Sequence, residues 1–343
     1  MIYPFFRSLL FRLDPERAHG FTLGLLRLAG ALPPLQTVLR SVFAAPQMPV
    51  QVFGLTFNNP IGLAAGYDKD GLGWRGLACL SFGHIEIGTV TPRPQPGNPR
   101  PRLVRLPEQS ALINRMGFPG RGAEYVSRRL RFSRPPGLVL GVNLGKNKDT
   151  PLENAAEDYL ALMKIFAPLS DYLVVNVSSP NTEGLRSLQR RQALEQLLIP
   201  LRRFCMQEQA WLNRPVPLLV KLAPDLTDAE LDNALDVITG AGVEGVIASN
   251  TTLSRTGVPA SLAGQAGGLS GAPLGELSTR MIRRIHANTE GKLPIIGLGG
   301  VMCPADVRAK LDAGATLVQV YTGLVFAGPG LVQSILRDLS LHS

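Results

Sequence analysis

The chain has 343 residues, 45% of them hydrophobic and only 18% charged, with a formal net charge of +9. That composition supports a large packed core and excludes a disordered or tail-dominated chain. The basic residues are scattered, without the Lys/Arg run of a nucleic-acid arm, so the positive balance points to small anions or an anionic membrane surface.

Residues 1–44 read as helical and amphipathic. Pro4 suits a first helical turn. Phe5, Phe6, Leu9, Leu10 and Leu13 then recur at helical spacing. Asp14-Pro15 is a second start signal, a cap followed by proline at the first helical position. Ala18, Phe21, Leu25, Leu28 and Ala29 make a second stripe, ended by Gly30 and Pro33-Pro34. A basic amphipathic helix pair can lie in a membrane interface, and it can equally pack on the main body of the protein. No run is long and apolar enough for a membrane span, and no cleavable leader pattern precedes the first stripe.

From about residue 50 the pattern changes. Gln51–Phe57 reads as a short hairpin. Eight apolar strand candidates follow: Ile61–Ala65, Ile85–Val90, Leu138–Leu144, Tyr172–Val177, Leu218–Leu222, Gly245–Ser249, Ile295–Leu298 and Leu317–Tyr321. Continuous apolar strands imply burial on both faces, as in a parallel sheet. Helical stretches separate most of them, at Ala155–Phe166, Gln192–Gln209, Asp228–Ala241 and Ala305–Ala313. Eight such units suit an α/β fold of the TIM (β/α)8 barrel type, with the small N-terminal helical extension. A doubly wound sheet competes, but no Gly-x-Gly-x-x-Gly follows the first strand. Residues 91–136, rich in Pro, Gly and Arg, exceed one connection and read as an insertion over the barrel mouth. The expected units are 1–44 and 45–343.

In a barrel of this type the site lies at the C-terminal strand ends. Strand four runs into Asn176-Val177-Ser178-Ser179-Pro180-Asn181-Thr182, where two amides suit a planar, amide-rich ligand. Ser179 can act as a base or a nucleophile if something takes its proton. Asn143 ends strand three and Ser249-Asn250-Thr251 ends strand six. Lys221 interrupts the apolar strand Leu218–Leu222 and needs a partner. It can form a Schiff base or hold positive charge against an anionic cofactor. Glycines after strands seven and eight, with Gly268–Gly271 as a third loop, suit a phosphate group. The three cysteines and four histidines show no metal-ligand spacing, so no metal site is expected.

These residues sit in longer motifs. The chain resembles quinone-dependent (class 2) dihydroorotate dehydrogenases nearly end to end. The likeness rests on Leu13–His19, Asn59–Lys69, Asn114–Phe118, Asn143–Asn147, Asn176–Thr182, Ser249–Thr252 and Gly267–Gly271. The resemblance implies an oxidoreductase of pyrimidine biosynthesis that converts (S)-dihydroorotate to orotate, with one FMN per chain and a membrane quinone as electron acceptor. It places FMN against Ala65, Gly66, Thr89, Asn143, Asn176, Lys221, Ser249, Gly271, Gly300, Tyr321 and Thr322. Substrate falls to Lys69, Asn114, Arg115, Met116, Gly117, Phe118, Asn176, Asn181, Asn250 and Thr251. Ser179 becomes the base, Lys221 an electrostatic group and Thr182 a relay for the Ser179 proton. His19, Arg105 and Tyr321 fall on the quinone route. Soluble class 1 enzymes carry Cys at the base position, where this chain has Ser179. Peripheral attachment at the cytoplasmic face of the cell membrane is implied, with no nucleic-acid partner and no obligate protein partner.

Overall fold

All eight expected strands form, and they close on one another. The computed structural model describes residues 3–342; Met1, Ile2 and Ser343, at the ends of the two expected units, lie outside the described residues. The strands are β1 (Ile61–Leu63), β2 (His84–Val90), β3 (Val139–Leu144), β4 (Tyr172–Asn176), β5 (Leu218–Leu222), β6 (Gly245–Ala248), β7 (Ile295–Leu298) and β8 (Leu317–Val320). Each pairs in parallel with its sequence neighbours, and β8 pairs with β1, which closes the barrel. Every residue of β4 and β5 is buried, as strands covered on both faces must be.

Two apolar layers result. Phe57, Val139, Tyr172, Val174, Leu219, Ile247, Ile296 and Leu317 fill the lower barrel interior. A larger layer lies between the strands and the surrounding helices. The hairpin Val50–Val52 and Leu55–Phe57 closes the bottom, with Phe57 edge-on to His84 at 5.4 Å. The helix Asp228–Gly240 starts at a capping box, in which Thr227 accepts from the Glu230 N–H and Glu230 accepts from the Thr227 N–H.

The insertion builds a roof. Leu103–Leu106 and Ala111–Asn114 form a hairpin, and the helix Gly122–Leu130 follows. Gly268–Gly271, expected as a loop, is instead a third antiparallel strand on Ala111–Asn114. Its backbone finds ladder partners in the insertion, 154 residues away in sequence at the Asn114–Gly268 contact.

The N-terminal segment has three helices where two were expected: α1 (Tyr3–Leu10), α2 (Pro15–Ala31) and α3 (Pro33–Val42). Pro33-Pro34 does follow the end of α2, but prolines also fit the first turn of a helix, and here they begin α3. Asp14 caps α2 by accepting from the N–H groups of Glu16 and Arg17. α2 buries Ala18, Leu23, Ala29 and Gly30, and it packs on the short helix Trp74–Leu77. α1 and α3 bury no residue.

Candidate active site

A cavity of about 320 Å3 opens at the C-terminal end of the barrel, between the strand ends, the roof and α2. Among its lining residues are Ala65 and Gly66 after β1, Thr89 in β2, Asn176, Ser179 and Asn181 from β4 and its loop, and Lys221 in β5. Ser249, Asn250 and Thr251 follow β6, Gly300 follows β7, and Tyr321 and Thr322 follow β8. The roof adds Asn114, Met116, Gly117, Phe118 and Gly271; Lys69 enters from the loop after β1, while His19 and Arg105 line the side toward α2.

The amides are wired to one another. Asn176 Nδ2 donates to Thr89 Oγ1 and Asn143 Oδ1, both at 3.0 Å. Asn250 Nδ2 donates to Ser178 Oγ at 2.9 Å, and Asn181 Nδ2 to Asn114 Oδ1 at 3.1 Å. Ser179 Oγ accepts from the Asn181 N–H at 3.3 Å. Such cross-links hold each amide in one orientation, the usual basis of selective recognition.

Two lysines are buried beside this set. Burial holds Lys221 below the usual lysine range, with the Glu86 carboxylate acting against that shift. Lys69 Nζ donates to the Gly66 carbonyl at 2.6 Å, and burial pushes its pKa down to about 8. Burial also takes His19 down to about 4, with the Lys69 charge adding to the effect, so His19 is neutral near pH 7. His19 stands edge-on to Tyr67 at 4.9 Å, and Tyr67 to Tyr321 at 5.8 Å, a ring series from α2 to the mouth of β8. Arg105 Nη1 donates to the carbonyls of Phe11 and Leu13 at 3.1 and 3.0 Å, which ties the roof to the α1–α2 turn. Glu16 of α2 pairs with Arg100 and Arg102 of the insertion, each at 2.9 Å.

Three expected positions lie off the cavity lining. Asn143 sits directly below, holding Asn176 and Thr89. Arg115 turns its guanidinium to the Pro101 carbonyl, at 3.1 and 2.8 Å. Thr182 is buried and does not line the cavity. Other residues escaped the sequence reading. Glu86 and Gln319 lie under the cavity, and Gln319 reaches its lining. Their signal was present, since each interrupts an apolar strand as Lys221 does. Asn98 Nδ2 donates to the carbonyls of Arg115 and Asn181, joining roof and Ser179 loop; nothing in its neighbourhood marks it in sequence.

The donor set suits a planar anionic ring system with a phosphate. Thr251 Oγ1, at the cavity wall, is buried without a partner. Lys221 and Lys69 both bring amino groups to the cavity wall. Gly300 has φ +72°, and a Cβ there would lie 2.2 Å from Gly275 Cα, so only glycine keeps backbone this close to the cavity wall. Among the described residues no group of three or more His, Cys, Asp or Glu could hold a metal ion.

Comparison with known proteins gives a consistent result. The family described as dihydroorotate dehydrogenase matches residues 47–342. The chain is 52% identical to the dihydroorotate dehydrogenase (quinone) of Anaeromyxobacter dehalogenans (strain 2CP-C), across 99% of this chain and 92% of that one. It is 48% identical to the protein of that name from Paraburkholderia phymatum, across 100% and 98% of the two chains. Among solved structures, the Eimeria tenella enzyme in complex with ferulenol superposes with a TM-score of 0.84 at 36% identity, covering 95% of this chain and 90% of that one.

Proposed function

The chain belongs to the dihydroorotate dehydrogenase family, and from that premise we propose how its own residues carry the family's reaction. The reaction is a step of pyrimidine biosynthesis, the oxidation of dihydroorotate to orotate, with quinone as acceptor. Enzymes of the family are flavoproteins, and the flavin assigned to this cavity is FMN, one per chain. Bound there, FMN supplies the acceptor for the hydride that leaves C6 of dihydroorotate.

The remaining work falls to side chains. Asn114, Asn176, Asn181 and Asn250 pair the N–H and C=O edges of the substrate ring, and Lys69 neutralises its carboxylate. A wrong ligand that left one of these buried amides unpaired would lose on the order of 1–3 kcal/mol at each. Ser179 Oγ takes the proton from C5. Lys221 would oppose negative charge on a bound flavin, an electrostatic role that needs no covalent bond to substrate. Gly271, Gly300 and Thr322 hold the phosphate, and Ala65, Gly66, Thr89, Ser249 and Tyr321 enclose the ring system.

Residues 1–44 form the quinone unit and 45–343 the catalytic one. His19, Arg105 and Tyr321 border the opening toward α2, where neutral His19 and the Arg105 guanidinium can donate to quinone carbonyl oxygens. Phe5, Phe6, Leu9, Phe21, Leu25 and Leu28 are exposed on the outer faces of α1 and α2. No helix among the described residues is long and apolar enough to cross a membrane. The reading is therefore peripheral attachment at the cytoplasmic face, with the exposed apolar faces in the interface.

The observation that carries this reading is one cavity that gathers Ser179, Lys221 and the amides Asn114, Asn176, Asn181 and Asn250. The purified protein should be yellow, release FMN on denaturation, bleach anaerobically with dihydroorotate and recover colour with quinone. A colourless protein, or a flavin that dihydroorotate leaves oxidised, would overturn it.

A further inference from the structure

Below the cavity lies a carboxylate that has no place in the reaction as assigned. Glu86 is in the middle of β2, between Ile85 and Ile87, and is fully buried. Neutral amides hold its two oxygens. Asn143 Nδ2 donates to Oε1 at 2.7 Å, and Gln319 Nε2 to Oε2 at 2.8 Å. An ionised carboxylate in such a place is costly to bury, and a glutamine would fill the same volume without that cost.

A carboxylate only accepts hydrogen bonds, so it decides which way its neighbours point. Asn143 must turn Nδ2 down toward Glu86, which leaves Oδ1 facing up. That oxygen accepts from Thr89 Oγ1 at 2.6 Å and from Asn176 Nδ2 at 3.0 Å. Asn176 thereby commits its N–H groups downward. Its Oδ1 accepts from Ser178 Oγ at 3.0 Å and from Asn250 Nδ2 at 3.4 Å. The bonds run one way, from Asn250 through Asn176 and Asn143 to Glu86. Asn250, Asn176 and Thr89 line the cavity while Glu86 does not, so the charge acts from beneath. Lys221 stands in register with Asn176 on the neighbouring strand, and Glu86 is the charged group that acts against its desolvation.

We propose that Glu86 is a positioning residue: its carboxylate orients the Asn143–Asn176–Asn250 amide relay and balances Lys221, and so sets both the face shown to substrate and the electron affinity of the bound flavin. The inference rests on the assignment of this cavity to flavin and dihydroorotate.

Glu86→Gln tests it, because the change keeps size and removes charge. A glutamine amide can donate as well as accept, so Asn143 loses its enforced orientation. The flavin midpoint potential should rise, because a negative charge beneath the ring no longer opposes reduction, and the reduction equilibrium should move tenfold or more toward reduced flavin. Orotate affinity, followed by the change in the flavin spectrum, should fall tenfold or more. Glu86→Asp keeps the charge and should hold the potential near that of the unmodified protein. A Glu86→Gln protein with unaltered potential, or with unaltered orotate affinity, overturns the proposal. Should that variant fail to fold, Gln319→Leu keeps it testable. Loss of one donor changes how far the carboxylate is neutralised, so the potential should shift; an unchanged potential overturns the proposal. Failure of the underlying functional reading looks different: the unmodified protein would then carry no flavin that dihydroorotate can reduce.

Discussion

Ser179 lies between Asn176 and Asn181, the amides proposed to read the substrate ring, yet a serine is a weak base; among the described residues its Oγ accepts the Asn181 N–H. Ser179→Ala should therefore leave flavin and orotate binding intact while slowing anaerobic flavin reduction by about 10²–10⁴, the usual worth of a positioned base. Reduction at the original rate in a stopped-flow trace would remove Ser179 from the mechanism. A relay of that proton through Thr182, which is buried and off the cavity lining, remains a proposal. Lys69 carries a pH signature. With burial lowering its pKa to about 8, it is charged below that pH and loses charge above it. Orotate affinity should weaken as pH rises through about 8. Lys69→Met should bind weakly at every pH, without that inflection. An inflection that survives in Lys69→Met would assign it to another group.

At the scale of elements, α1–α3 do not behave alike. α2 buries one face on the barrel and is pinned by Glu16 to Arg100 and Arg102, so it is part of the folded body. α1 and α3 bury nothing, and Phe5 is the most exposed of their large apolar side chains, at 75%. Large apolar side chains exposed together in this way mark an interaction site. Replacing Phe5, Phe6 and Leu9 together by Ser should weaken sedimentation with anionic vesicles and slow turnover of long-tailed quinone. Reduction of the flavin by dihydroorotate should be unaffected, and so should turnover of a short-tailed quinone. Full activity of the triple variant with long-tailed quinone would return these helices to a purely structural role.

The whole molecule carries +9, and electrostatic attraction to an anionic surface is screened by salt. Vesicle binding should therefore weaken as salt is raised from about 0.05 to 0.5 M, with a residue due to the apolar faces. Stability has its own pH dependence. His84 sits inside the lower barrel with Nδ1 unpartnered, and burial takes its pKa down to about 3. The space for its ring exists because residue 62 is glycine, where a Cβ would lie 2.0 Å from His84 Nε2. With its folded value depressed, His84 contributes stability that is present above about pH 6.5 and lost as pH falls toward 3, because the unfolded chain takes up a proton the fold refuses. Asp68, raised to about 6 by burial, acts with the opposite slope between its unfolded value and 6. Comparing His84→Gln with the unmodified protein isolates the histidine. The loss in urea stability between pH 7 and 5 should shrink by on the order of 2 kcal/mol in the variant. Equal losses in the two proteins would show that His84 is not the acid-sensitive group.

The β/α alternation was readable from the amino-acid sequence, and so were all eight strands and the polar residues at their ends. Buried parallel strands declare themselves in consecutive residues, and a polar group inside such a run is conspicuous, as Lys221 was. The same logic extends to Glu86 and Gln319, which also interrupt buried apolar strands. Short-range rules misread Pro33-Pro34, since proline both ends one helix and begins the next. They also misread Gly268–Gly271, whose ladder partner is distant in sequence. Arg115 shares a motif with cavity residues, yet its guanidinium leaves for the Pro101 carbonyl. Barrel closure alone decided which strand ends face one another. Thr89 meets Asn143 across 54 residues, and Asn176 meets Thr89 across 87. The direction of each amide follows from those meetings, because hydrogen-bond polarity is a property of neighbours in space. Residue identities at the strand ends are local and were written in the chain; their mutual orientation, and the place of Glu86 beneath them, exist only once the barrel has closed.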